Sequence, residues 1–163
     1  MTHSANEVMV LAAKAARGGG APPAQAAQFG SAAVLHLVTG RAVDDLDEAL
    51  AALPNGPILS YPLGIAQIAE QAVKGIARGI MEGGDTSLAR SYVESMPCSA
   101  RLDADGTLTM EVGKPALRRN IMRISLSHDT YIRWSAFAAA LLVAESDASR
   151  QSGAGAGVSN DND

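Results

Sequence analysis

The chain has 163 residues, a formal charge of −4 and a pI near 5.3. That length fits one compact unit and argues against a two-lobed enzyme, and the net charge supplies none of the long-range positive field that nucleic acid or an anionic membrane requires. Apolar residues make up 47% of the chain but aromatics only 4%, so much of the apolar content is alanine and the expected core is thin, of a kind that a neighbouring subunit often completes.

A capping box opens the first expected helix: Ser4 stands at the N-cap and Glu7 three residues on returns the bond. Val8, Leu11, Ala12 and Ala15 follow at helical spacing until Gly18-Gly19-Gly20. Pro23 then suits the first turn of a second helix, carried through Phe29, Ala33 and Leu37 to a stop at Gly40. A short third helix fits Asp45 to Leu53, with Asp45 as cap and Glu48 as its partner. After the breaker Pro54-Asn55-Gly56-Pro57, Ile58 to Tyr61 reads as a brief extended segment, and Pro62 opens a longer helix to about Met81. On that helix Gly64, Gly75 and Gly79 fall close together on the wheel, which predicts a groove of close backbone approach, either inside the fold or toward a partner.

Gly83-Gly84-Asp85-Thr86 reads as a loop that leads into residues 84–98, where Leu88 to Met96 fits a strand or a short helix. Ser99 to Val112 alternates apolar and polar residues around Asp105-Gly106, which predicts a hairpin. Ile121 to Leu126 adds a third strand to it, and Ser127 caps a last helix from about His128 to Glu145. The result is an α+β domain over residues 1–145, helix-rich at the amino end, with a small antiparallel sheet near residues 99–126 and a carboxy-terminal helix. Residues 146–163 change character: Gly153-Ala154-Gly155-Ala156-Gly157 and Asn160-Asp161-Asn162-Asp163 offer little to bury, and read as a flexible arm with an acidic tip.

Cys98 is the single cysteine, so no internal disulfide forms, and no CxxC or His-Cys cluster supplies zinc ligands. Met1 to Glu7 lacks the basic and apolar segments of a signal peptide, and the longest apolar run, Ala136 to Ala144, falls well short of the ~20 residues that span a bilayer. The expectation is a cytoplasmic protein without a membrane or nucleic-acid role, a metal or a cofactor.

Lys114, Arg118, Arg119, Arg123 and Arg133 crowd together in sequence, whereas Asp44, Asp45, Asp47 and Glu48 lie apart, which predicts segregated charge. Arg118, Arg119 and Arg123, with the helix start at Ser127, are the candidates for binding an anionic small molecule; a solvated basic face accounts for the same residues. His128 is a weak candidate for proton transfer, because Asp129 beside it points about 100° away around the helix. His36 sits mid-helix among Val34, Leu35, Leu37 and Val38, as a satisfied core histidine does. Asp161 and Asp163 offer carboxylates at the tip, as weak catalytic candidates or as docking groups. The Gly153, Gly155 and Gly157 tether would let them thread into a partner; a solubilising end explains the same composition.

Ser4-x-Asn6-Glu7-Val8, Lys14-Ala15-Ala16-Arg17-Gly18-Gly19-Gly20 and Gly30-x-Ala32-Ala33 through Gly40, together with Ser149-Arg150, the Gly-Ala run and the Asn160 to Asp163 ending, resemble an uncharacterised proteobacterial family known only as a domain of unknown function. The similarity covers roughly the first forty and last fifteen residues, with Asn160 departing from an aspartate-rich ending. It implies a cytoplasmic bacterial protein and transfers no activity. The expected function is therefore a small accessory or binding protein, an oligomer or a subunit of a larger enzyme, with a tail that docks into a protein partner. The alternative is a small enzyme acting on an anionic metabolite held by Arg118, Arg119 and Arg123.

Overall fold

The structure, a computed structural model, describes residues 1–117, 120–121 and 123–141. A two-residue strand β1 (Thr2–His3) leads into helix α1 (Ala5–Gly18). The capping box closes as its sequence requires: the Glu7 amide donates to Ser4 Oγ at 3.2 Å, and the Ser4 amide donates to Glu7 Oε2 at 2.6 Å. Helix α2 (Pro23–Val38) starts on Pro23, whose fixed φ and missing N–H suit a first turn. Helix α3 (Asp44–Ala51) has no side-chain cap. Asp45 lies inside its first turn with Asp44 and Asp47, where carboxylates favour the helix dipole, instead of capping it.

Helix α4 (Pro57–Glu70) departs most from the sequence expectation. Ile58 to Tyr61 is helical, because Pro57 already supplies the first-turn proline and the buried Ile58 and Tyr61 anchor that turn, so Pro62 sits inside the helix. The helix ends near Glu70, far short of Met81. Lys74 and Gly75 both adopt positive φ, 51° and 80°, and the tight turn they make delivers strand β2 (Ile76–Ile80). The glycine groove therefore does not form: Gly64 lies in α4, Gly75 in the turn and Gly79 in a strand. The close helix approaches occur elsewhere. A Cβ on Gly30 of α2 would stand 2.5 Å from the Met9 carbonyl oxygen of α1.

Residues 84–98 resolve into a loop and helix α5 (Ser87–Glu94), capped by Thr86, whose side chain accepts the Ala89 amide at 3.0 Å. The hairpin forms as expected between strands β3 (Cys98–Leu102) and β4 (Thr107–Pro115), with Leu102 opposite Leu108 and Gly106 at φ 82° in the turn. Its third strand is β2, giving the antiparallel order β2-β4-β3 with Ile80 opposite Thr107. Among the described residues of the 121–126 segment, the strand is β5 (Ile124–Ser125), which pairs with β1 and not with the hairpin. Ser127 caps helix α6 (His128–Ala139), accepting the Thr130 amide at 3.0 Å.

The fold is α+β. Its core joins the fully buried Trp134, Phe29, Leu46, Leu50 and Ile58 to many buried alanines, among them Ala12, Ala15, Ala16, Ala32 and Ala33. Short side chains between α1 and α2 let the backbones approach closely, which is what an alanine-rich sequence allows. Among the described residues no helix is long and apolar enough to cross a membrane.

Candidate functional site

Of the residues expected to carry chemistry, Arg118, Arg119, Gly153, Gly155, Gly157, Asp161 and Asp163 lie outside the described residues. Arg123 is exposed and turned toward the amino terminus, donating to the Thr2 carbonyl at 2.8 Å and to Thr2 Oγ1 at 3.3 Å. The Ser127 hydroxyl is engaged by its own helix, and His128 is exposed on the first turn. Lys114 pairs with Glu111 at 3.0 Å. Arg133 reaches Asp47, which also accepts the Trp134 indole N–H at 2.7 Å. Among the described residues one ion pair, Arg133 of α6 with Asp47 of α3, joins the basic stretch to the acidic one, while Lys114 and Arg123 bond elsewhere.

A buried polar network joins α2 to α5. His36 is fully buried, with Nε2 2.7 Å from the Ala42 carbonyl oxygen and Nδ1 2.9 Å from Ser91 Oγ; Asp45 Oδ2 lies 3.5 Å from Nε2. Arg41 donates to Ser91 Oγ at 2.8 Å and grips Glu94 with both terminal nitrogens. Burial pulls the His36 pKa below its ordinary value, against the opposing effects of the Ala42 carbonyl and Asp45. A neutral ring must place its proton on Nε2, since a carbonyl only accepts, which leaves Nδ1 as an acceptor that competes with the Ser87 carbonyl, 2.9 Å from Ser91 Oγ, for the single Ser91 hydroxyl proton. The set has the membership of a nucleophile, base and carboxylate, but Ser91 and His36 are both sealed from solvent and Ser91 is held by Arg41 and the Ser87 carbonyl. It works as a core staple, which matches the expectation of a satisfied histidine.

A concave surface open to solvent lies beside the end of α5. An inner cavity of about 270 Å³ opens between Ala27, Gln28 and Ser31 of α2, Pro62 and Ile65 of α4, and Tyr92. A wider mouth of about 540 Å³ continues from it past Met9 of α1 to Pro115, Ala116 and Leu117 after the hairpin. The two share Ser31, Ser95, Met96 and Pro97 as wall, so together they form one groove. Its lining is mainly apolar. The serines are satisfied locally, Ser31 Oγ on the Ala27 carbonyl at 3.3 Å and Ser95 Oγ on the Tyr92 carbonyl at 2.8 Å. Leu117 at the rim is 97% exposed.

Tyr92 is the unusual member of this wall. It is 2% exposed, its ring meets Tyr61 edge-on at 5.8 Å, and its hydroxyl has no hydrogen-bond partner among the described residues. Burial, reinforced by Tyr61, pushes its pKa far above the ordinary phenol value, so it remains a neutral donor. The sequence reading missed this groove because Tyr92 lies in the segment that fitted either a strand or a helix. The signal that could have found it is Thr86 as N-cap followed by Leu88, Ala89, Tyr92 and Val93, which share one helical face. No protein-family model, no curated protein and no solved structure matches this chain.

Proposed function

We propose that this chain is a small accessory or binding protein of the cytoplasm, working as an oligomer or as a subunit of a larger enzyme. The groove along α2 faces an apolar segment of the partner, and the acidic tail makes a second contact. The observation that carries this reading is the groove itself: a mainly apolar channel in which no histidine or cysteine stands among the described lining residues, with a fully exposed leucine at its rim. Apolar surface of this kind rewards association more than it supports proton or group transfer. The alternative, an enzyme acting on an anionic metabolite, has two of its three arginines, Arg118 and Arg119, outside the described residues; of the described groups, Arg123 bonds Thr2 and the histidine-serine set is closed to solvent.

The test begins with the full-length chain purified from its native cells under mild conditions. A protein that remains bound is then recombined with Leu117→Asp, with Ala27→Trp and with a chain lacking residues 153–163. Leu117 and Ala27 are exposed, so both variants keep the helical spectrum of the parent and weaken the complex about tenfold or more. A chain that stays monomeric and alone, or a complex indifferent to both substitutions, rejects the proposal.

A further inference from the structure

We infer that the cavity between α1 and the start of α6 binds a small monocarboxylate, its carboxylate on the Lys14 ammonium and its apolar body on the floor made by Val8, Leu11 and Leu126. Lys14 is an exposed residue of α1 that lines this cavity of about 310 Å³, and its ammonium has no hydrogen-bond or ion-pair partner among the described residues. A ligand can therefore match its charge without first breaking a bond within the described fold. The floor is apolar and closed, with Val8 and Leu126 each 1% exposed. One wall is built before any ligand arrives: the His3 and Tyr131 rings stack at 5.4 Å with their planes 6° apart. The segment that carries His3 is tied to the floor through Met1, whose carbonyl accepts the Leu126 amide at 2.9 Å.

The surroundings select the ligand class. Glu7 also lines the cavity, about 10 Å before Lys14 along α1. Its carboxylate accepts the Ser4 amide at 2.6 Å, and the bonds to Ser4, with His3 and Arg123 adding positive potential, hold it below the ordinary carboxylate range. The charge at that end is thus already met, and Lys14 at the other end is the one to be matched. A monocarboxylate sets a single negative charge on Lys14 and keeps its body over Leu11 and Leu126. A phosphate monoester brings a second charge, which Glu7 repels, and a cation is repelled by Lys14 itself. This inference is separate from the accessory role. Among the described residues the cavity and the groove along α2 share Asn6 alone, so a partner seated in the groove leaves the cavity open, and Leu117→Asp leaves its binding unchanged.

Benzoate and benzamide form the probe pair, alike in shape and differing in charge. Titrated to about 20 mM into the nitrogen-15-labelled full-length chain, benzoate is expected to shift the amides of residues 6–14, 126 and 131, and to bind about 3- to 5-fold more tightly than benzamide, as an exposed ion pair allows. Lys14→Arg keeps that preference, and Lys14→Gln, a change at an exposed position that leaves the fold intact, loses it. Raising sodium chloride from about 20 to about 500 mM removes the preference while benzamide binding stays unchanged. Val10→Trp, placed at the cavity wall from a position 39% exposed, abolishes binding of both probes. Absence of shifts with benzoate, shifts confined to other surfaces, or a preference that survives in Lys14→Gln overturns the inference.

Discussion

Replacing Gly30 by alanine tests the helix packing that positions the groove, since α2 forms one of its walls. The added Cβ would stand 2.5 Å from the Met9 carbonyl oxygen, 3.2 Å from the Ala13 Cβ and 3.3 Å from the Met9 Cγ, whereas ordinary contact begins at 3.4 Å. The nearest atom is helix backbone, so relief requires α1 to move from α2 by nearly 1 Å; a rotamer change does not suffice. Overpacking of this kind costs about 1–3 kcal/mol, and the better helix propensity of alanine returns up to about 1 kcal/mol. The net expectation is a loss of about 1–2 kcal/mol, or a fall in Tm of about 2–8 °C. Gly64 of α4 is the control, because a Cβ there meets nothing within 4 Å. Gly64→Ala therefore keeps the propensity gain of about 1 kcal/mol and raises Tm by about 2–4 °C. Thermal melts followed by circular dichroism measure both. A Gly30→Ala protein as stable as the parent, or a Gly64→Ala protein less stable than Gly30→Ala, refutes the packing argument.

Tyr92→Phe removes an unpaired buried hydroxyl and is expected to leave stability unchanged or raise it by about 1 kcal/mol, while Tyr61→Phe loses the bond to Thr86 and costs about 0.5–1.5 kcal/mol; urea midpoints compare the two. Because the folded pKa of His36 is depressed, the unfolded chain takes up a proton that the folded chain refuses. Its stabilising contribution is present above the ordinary value of 6.5 and is lost as pH falls from there toward the folded pKa. Urea midpoints at pH 7.5 and 5.5 should separate less in His36→Gln than in the parent; equal separation contradicts the buried neutral ring. Asp47→Ala strips the partner from the buried Trp134 indole and costs about 1–3 kcal/mol, whereas Asp47→Asn keeps an acceptor and costs less, as urea midpoints will show.

Local signals in the sequence proved reliable where one residue does one job. Ser4 with Glu7, Pro23, Ser127 and Asp105-Gly106 each fix a boundary by their own hydrogen bonds or dihedrals, and each stands where its chemistry placed it. The stretch from Ile65 to Ile80 misleads because its apolar spacing satisfies a helical period as well as the alternation of a strand. What decides it is Lys74 and Gly75 at positive φ, and a lysine gives no warning of that conformation. Strand partners were equally hidden: β5 pairs with β1 across more than 120 residues, and nothing in the local sequence of either encodes the other. The groove escaped for a related reason. Its walls come from α1, α2, α4, the end of α5 and the segment after β4, each with an ordinary amphipathic pattern. Only their assembly brings Ser31, Tyr92 and Leu117 to one channel.

Amide hydrogen exchange on the full-length chain, alone and within the complex isolated through it, tests the binding role most directly. Binding through the groove predicts slowed exchange at residues 27–35, 94–96 and 116–117, with the outer strands β2 and β3 unchanged. Protection confined to those strands, or no complex to measure, contradicts it.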